Sequence, residues 1–490
     1  MNTTFTTPII DALKGYIEDQ TVRFHMPGHK GCQVLKNPAL ALLGENAYRT
    51  DVTNVPGMDD LHQPHGIIRE AERLAAELFG AEQTYFLING SSCGLQALIM
   101  AACNPGDKIL VPRNIHRSIL SGIILSGAIP VFFLPEYSRE YGIPLGTSPE
   151  TVDRCLAGNP DAKAVLLVYP TYQGVISDVK TIAQVVHRYN IPLLIDEAHG
   201  PHFCFHEDLP ITALEAGADA SVQGTHKMLA SFTQASMLHV KGNRLDRQRL
   251  EASLKLLQST STSYLLLASL DGTRAQMSGY GRELMGSALQ LSGFLRKEIK
   301  KIPDYNVLGE EMIGGPGVFG LDPTKINISL KNLRISGLWA EQWLRKHHQI
   351  QVEMSDVFNL LLLVTCGNWL SDANKMLYAL RDMIQHIRLH PEVTGPYTEI
   401  QDVNPFPFIP EMMVPPREAF LASTTPLLLE EAMGSISAEV ITCYPPGIPV
   451  ICPGEKFSQE IIAYLSVMRT LGIHFQGCSD AGLKTVLTLK

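Results

Sequence analysis

SVQGTHKMLASFTQASMLHV, residues 221–240, sets one lysine between two apolar runs, directly behind Thr225 and His226. Lysine is among the residues least often buried in a core. Lys227 therefore either opens a surface helix with its ammonium in water or faces a crevice where a buried strand ends, and its surroundings must decide. From about residue 60 to 240, short apolar runs alternate with helix-like stretches. Strands are expected at TYFLI (84–88), KILV (108–111), PVFFL (130–134), AVLLVY (164–169), PLLI (192–195) and ASVQ (220–223). Helices are expected between them, as at CGLQALIMAAC (93–103) and VKTIAQVVHRYN (179–190). This alternation predicts an α/β fold, a mainly parallel sheet with helices on both faces. Such sheets bind ligands at the carboxyl ends of their strands, which is where NGSS, RNIH, DEAH and THK fall.

A chain of 490 residues is too long for one core, and 45% hydrophobic with 18% charged residues reads as a folded protein. A net charge of −9 argues against nucleic acid or an anionic membrane as the partner. The longest apolar runs, such as LLLLV (360–364), are too short to span a bilayer. The N-terminal stretch shows no basic segment followed by a long apolar one, so no signal peptide is expected. Nine cysteines without a C-x-x-C pair fit reduced thiols and a cytoplasmic location. Changes of pattern divide the chain into an N-terminal arm (1–58), a large domain (59–298), a small α/β domain (299–392) and a C-terminal domain (393–490). The small domain has strand-like IPDYNVLG, KINISL and IQVEMSD around a helix at SGLWAEQWLRKHH. The Pro-rich stretch 390–416 reads as a linker or crossing segment.

Four stretches carry chemistry. In NGSSCGLQAL, a strand ends at Ile88 and a helix begins near Cys93. Its free N–H groups, with the Ser91 and Ser92 hydroxyls, make an anion site, although an ordinary serine N-cap has the same letters. In PLLIDEAHG, Asp196 and Glu197 follow an apolar strand. A carboxylate there needs a cation, such as a protonated ring nitrogen, unless it caps the next helix. His116, in VPRNIHRS, suits stacking on an aromatic ring, or is a plain loop histidine. His199, His202 and His206 have helical spacing for zinc, but Gly200 and Pro201 interrupt any helix, so no metal is expected. An anion cradle, a buried acid, a stacking histidine and a lysine at neighbouring strand ends are what pyridoxal phosphate requires.

FHMPGHKG (24–31), PRNIHRS (112–118), DEAHG (196–200), THK (225–227), SFTQASM (231–237), TSTSYLLLASLD (260–271) and YPPGIP (444–449) together resemble the ornithine/lysine/arginine decarboxylase family. The resemblance is nearest to the short bacterial arginine decarboxylases, which lack the wing domain of the large enzymes. It implies pyridoxal-phosphate fold type I, the aspartate-aminotransferase-like architecture. It also implies Lys227 as the lysine that anchors pyridoxal 5′-phosphate, His226 beside the phosphate, and Asp196 on the ring nitrogen. Ala198 would lie under the ring and His116 above it, with His199 and Thr225 nearby and Ser91 and Ser92 on the phosphate. Ser261 and Thr262 would reach the neighbouring subunit's phosphate, so a homo-oligomer, at least a dimer with shared sites, is implied. One departure is Gly224, where the family commonly has a serine. Thr225 is the substitute hydroxyl.

The implied reaction is decarboxylation of a basic amino acid, L-arginine first, with lysine and ornithine next. An aminotransferase on the same scaffold would need an arginine for a second carboxylate, a role neither Arg113 nor Arg117 visibly fills. A non-catalytic regulator would have lost the lysine or the acid, and both are present. A guanidinium wants two coplanar carboxylate oxygens. Asp59, Asp60, Asp356, Glu411 and Glu439 are candidates, led by Asp356 and Glu439.

Overall fold

Seven strands carry these motifs: β1 (Gln83–Leu87), β2 (Lys108–Pro112), β3 (Ile129–Phe133), β4 (Ala164–Val168), β5 (Leu193–Asp196), β6 (Ala220–Gln223) and β7 (Ser236–Val240). They come from a computed structural model that describes residues 5–31, 37–394, 409–444 and 447–490. Parts of the N-terminal arm, most of the Pro-rich stretch and two prolines of YPPGIP lie outside the described residues. The strands hydrogen-bond in the order β1-β7-β6-β5-β4-β2-β3. Strand β2 pairs in parallel with β3 and β4, whereas β7 is antiparallel to both β1 and β6. The result is the expected α/β sheet, mainly parallel. Strands such as AVLLV and LLID are apolar along nearly their whole length because helices cover both faces of such a sheet.

Two units make up the chain, Met1–Ala101 with Ile195–Met285, and Ala102–Leu194 with Gly286–Lys490. In the first, helix Ile67–Phe79 buries Ile68, Ala71, Leu74, Ala75 and Phe79, a stripe at helical spacing. Helix Gly90–Ala102 follows β1 and starts earlier than the sequence pattern suggested, so Ser91 and Ser92 stand in its first turn. Gly90 makes the sharp entry, with φ +76°. Gly94 admits no side chain: a Cβ there would lie 2.7 Å from Leu87 Cδ1 and 3.0 Å from Val222 Cγ1. That contact seats the helix on the sheet.

Among the described residues, the second unit holds five further small sheets, two of which share a core with helices. Asn306–Val307, Lys325–Ser329, Asn359–Leu363 and Met354–Ser355 form an antiparallel sheet in that order. Helices Gly337–His348 and Leu370–Leu389 share its core, built on Ile326, Ile328, Leu344, Leu360 and Leu380. Nearer the C-terminus, Ile448–Ile451, Ile441–Tyr444 and His474–Gln476 form a three-stranded sheet, and helix Gln459–Thr470 shares its core. Among the described residues, no helix is long and apolar enough to cross a membrane.

Candidate active site

Strands β5 and β6 are neighbours; β5 ends in Asp196, and the turn that follows β6 carries Lys227. Past β5, Asp196 leads into a turn closed by a hydrogen bond from Gly200 N–H to Glu197 O at 2.9 Å. Past β6, Gly224 leads into the single helical turn Thr225–Met228, which carries Lys227. Lys227 Nζ lies 2.9 Å from His199 Nε2. Asp196 is 5% exposed, and its Oδ1 accepts the Ala198 N–H at 3.2 Å. Burial pushes the Asp196 carboxyl above its ordinary range, while the Lys227 ammonium pulls it back. A buried acid, an ammonium and an imidazole thus meet where the sheet opens.

The same unit also supplies hydroxyls and N–H groups. Ser91 Oγ lies 3.0 Å from Ser236 Oγ on β7, at the start of the thirteen-residue helix Gly90–Ala102. Thr225 Oγ1 is buried with no hydrogen-bond partner. His226 Nδ1 is 3.0 Å from Ala235 O, which only accepts, so Nδ1 carries the proton and Nε2 is the lone-pair nitrogen. Burial lowers the His226 pKa, with the Ala235 bond opposing. A Cβ on Gly224 would lie 2.8 Å from Ala198 O and 3.1 Å from Lys227 Cδ. A serine there would collide with the turn and the lysine stem, which accounts physically for the departure noted at this position. The unpartnered Thr225 hydroxyl lies one residue on.

These residues fit pyridoxal phosphate. A helix N-terminus with serine and threonine hydroxyls suits a phosphate dianion. A buried carboxylate suits a protonated ring nitrogen, and a lysine beside a hydrogen-bonding imidazole suits covalent anchoring.

The other sequence candidates have the following surroundings. His116 belongs to the second unit, where its Nδ1 caps helix Arg117–Ser126 and lies 2.7 Å from Ser118 Oγ. Ser261 is exposed, with its N–H on Ser259 Oγ at 3.2 Å, and Thr262 is buried. His202 is buried with its ring 4.7 Å from that of Phe203. Among the described residues, no group of three or more His, Cys, Asp and Glu has metal-binding geometry.

The two leading substrate acids are already engaged. Glu439 accepts from Ser479 N–H at 2.7 Å and from Leu487 N–H at 2.9 Å, one donor on each oxygen. Asp356 Oδ1 accepts from Phe358 N–H at 2.7 Å and Asn359 N–H at 2.8 Å, and Asn359 Nδ2 lies 3.0 Å from Oδ2. Burial raises the Asp356 pKa to about 6. Both acids hold their own backbone. Glu439→Gln turns an NH2 group on one of the two donors, so it should cost about 1–3 kcal/mol of stability. A lower thermal midpoint with an unchanged KM for the substrate is the expected outcome. A raised KM at unchanged stability would return Glu439 to the substrate.

Ser236, Gln223 and Glu455 escaped the sequence reading. Ser236 sits in a short strand, SMLHV, that was read only as part of a motif. Gln223 and Glu197 form a buried side-chain bond of 3.0 Å. Glu455 takes Arg113 in a two-pronged pair, with Nη1 to Oε1 at 2.6 Å and Nη2 to Oε2 at 2.7 Å. Both partners are essentially unexposed, so Arg113 has no fork left for a substrate carboxylate.

Comparison with known proteins gives concordant results. A family model described as Orn/Lys/Arg decarboxylase, major domain, matches residues 7–372, and its C-terminal domain matches residues 403–481. The arginine decarboxylase of Bacillus subtilis (strain 168) is 40% identical over 484 residues, 99% of this chain and 98% of its own. The arginine decarboxylase of Bacillus anthracis is 40% identical over 486 residues, with 99% and 98% covered. Among solved structures, the constitutive lysine decarboxylase of E. coli matches with a TM-score of 0.85 at 23% identity. That match covers 99% of this chain and 82% of the other.

Proposed function

Because the chain belongs to the Orn/Lys/Arg decarboxylase family, we propose that this decarboxylase converts L-arginine to agmatine and carbon dioxide, in polyamine metabolism, with pyridoxal 5′-phosphate held on Lys227. The observation that carries the reading is the 2.9 Å approach of Lys227 to His199 beside buried Asp196. The choice of arginine rests on the relatives whose names state it.

When bound, pyridoxal phosphate supplies a cationic ring that accepts the electron pair left behind as the carboxylate departs. Asp196 holds the proton on the ring nitrogen through its buried carboxylate. Lys227 Nζ would anchor the group and would be placed to deliver a proton to the α-carbon. His199 Nε2 shares a hydrogen bond with that nitrogen and orients it. Ser91, Ser92, Thr225 and His226 would hold the phosphate, with Ala198 and His116 assigned to the ring. The turn that carries Asp196 and the turn that carries Lys227 are joined by main-chain bonds, so the reacting groups are set before substrate arrives.

An aminotransferase needs a free arginine, and the Arg113 fork is filled by Glu455. Purified enzyme loaded with cofactor and offered arginine, lysine and ornithine separately should release agmatine fastest. Cadaverine or putrescine as the main product would reassign the substrate.

The same proposal includes a homo-oligomer, at least a dimer, in which Ser261 and Thr262 serve the neighbouring site. Phe24 is 93% exposed and Met26 67% exposed on the N-terminal arm, apolar surface of the kind that partners cover. A single-chain mass in solution for the active species would overturn it. A cytoplasmic location belongs to the proposal too, supported by the absence of a disulfide among the eight described cysteines.

A further inference from the structure

Four side chains cross the first unit's sheet in a line that the reaction above does not use. Thr84 Oγ1 lies 2.8 Å from His239 Nδ1, and His239 Nε2 lies 3.1 Å from Gln223 Oε1. Gln223 Nε2 donates to Glu197 Oε2 at 3.0 Å, and Glu197 Oε1 accepts the Ala213 N–H at 2.8 Å. Thr84 is on β1, His239 on β7, Gln223 ends β6, and Glu197 directly follows β5. The register explains the line. Thr84 stands opposite His239, and His239 opposite Ser221, so Gln223 is the diagonal neighbour two residues along the same face. Every member is at most 2% exposed.

The chemistry of the members gives the line one direction. Glu197 Oε1 takes the Ala213 N–H, and an ionised Glu197 only accepts. Above about pH 7, where burial places its pKa, Gln223 therefore points its amide nitrogen at Glu197 and its oxygen at His239. That oxygen only accepts, so His239 carries its proton on Nε2 and takes the Thr84 hydroxyl on Nδ1. Burial pushes the His239 pKa down to about 3, which keeps the ring neutral. His239 is further held against Phe79, with ring centroids 4.8 Å apart.

The ends of the line matter because of what adjoins them. Glu197 follows Asp196 in the chain, and Gln223 precedes Gly224 and the turn that carries Lys227. Main-chain bonds run alongside, from Glu197 N–H to Val222 O at 3.0 Å and from Gly224 N–H to Ala198 O at 3.2 Å. We propose that Glu197, Gln223 and His239 are positioning residues, a one-way hydrogen-bond relay anchored on Thr84 that fixes the Asp196 turn against the Lys227 turn. The relay rests on the reading of Asp196 and Lys227 as the cofactor pair.

Its direction is testable without turnover. In holoenzyme labelled with 15N-histidine, with His239 assigned by its loss in His239→Phe, the ring is protonated at Nε2 and bare at Nδ1. Glu197→Gln must keep its oxygen on Ala213 N–H, so its NH2 faces Gln223. That forces the Gln223 amide to turn over and moves the His239 proton to Nδ1. A wild-type ring protonated at Nδ1, or a proton that stays on Nε2 in Glu197→Gln, overturns the relay.

The positioning role has its own readout. Gln223→Met keeps length and loses both bonds. It should lower kcat roughly 10- to 100-fold with KM nearly unchanged, since small misplacement of reacting groups is costly. It should also shift the pH titration of the cofactor's visible band. An unaltered band and kcat would show a structural link only and overturn the positioning role. If Gln223→Met does not fold, His239→Phe, which breaks both bonds of the ring, takes its place with the same two readouts. A wild-type protein carrying no cofactor on Lys227 would sink the functional reading instead, and the tautomer result would still decide the relay.

Discussion

Lys227→Ala is expected to abolish amine formation, a loss of about four orders of magnitude or more in kcat, in line with removal of a covalent catalytic group. Borohydride reduction should then leave no cofactor mass on the peptide containing residue 227. Product formation at a wild-type rate would remove Lys227 from the centre of the site. The variant should also change stability in a specific direction. Lys227 pulls the buried Asp196 carboxyl down, so its removal lets burial raise that pKa further. A carboxyl whose folded pKa exceeds its unfolded one adds stability at low pH and loses it as pH rises. Lys227→Ala should therefore fall further below wild type in thermal midpoint at pH 8 than at pH 5. An equal deficit at both pH values would mean that the two groups do not sense each other.

Lys227 and Asp196 were legible because each sits in a short motif directly behind a buried strand. In a parallel sheet such strands read as unbroken apolar runs, so AVLLVY and PLLI showed themselves, and ASVQ ended where the structure ends it. Strand Ser236–Val240 was not recognised. Five residues following a motif carry little periodicity, and the antiparallel pairing that makes them a strand is a tertiary fact. The start of helix Gly90–Ala102 was placed too late because the left-handed turn at Gly90 compresses the connection.

The remaining site features depend on side chains far apart in sequence. Ser91 meets Ser236 across 145 positions, and Arg113 meets Glu455 across 342. No local pattern announces such pairs. Glu439 and Asp356 illustrate the converse. An acid beside apolar residues looks poised for a ligand, yet N–H donors 40 and 48 positions away fill both oxygens of Glu439, and local ones fill most of Asp356. Burial of an acid therefore locates a carboxylate that needs partners, and only the structure says whether the backbone already provides them.

Asp196→Asn separates charge from shape. Asparagine keeps the oxygen that accepts the Ala198 N–H at 3.2 Å, so the turn should persist. The lost negative charge is what holds the ring nitrogen protonated, and without it the ring accepts electrons poorly. Preorganised charges at a reacting centre are commonly worth about 3–4 kcal/mol or more, so kcat should fall by roughly 10²–10⁴. Some cofactor should remain bound through Lys227 and the phosphate donors, visible as a residual absorbance band. The cofactor-free protein should respond in the opposite sense. Burial raises the Asp196 pKa, so the ionised carboxylate costs stability near neutral pH. A neutral asparagine carries no such cost, and the apo variant should melt at or above the wild-type temperature at pH 7.5. A group that lowers stability and raises rate is spent on function rather than on folding. A near-normal kcat, or an apo variant that unfolds well below wild type, would make Asp196 a structural acid.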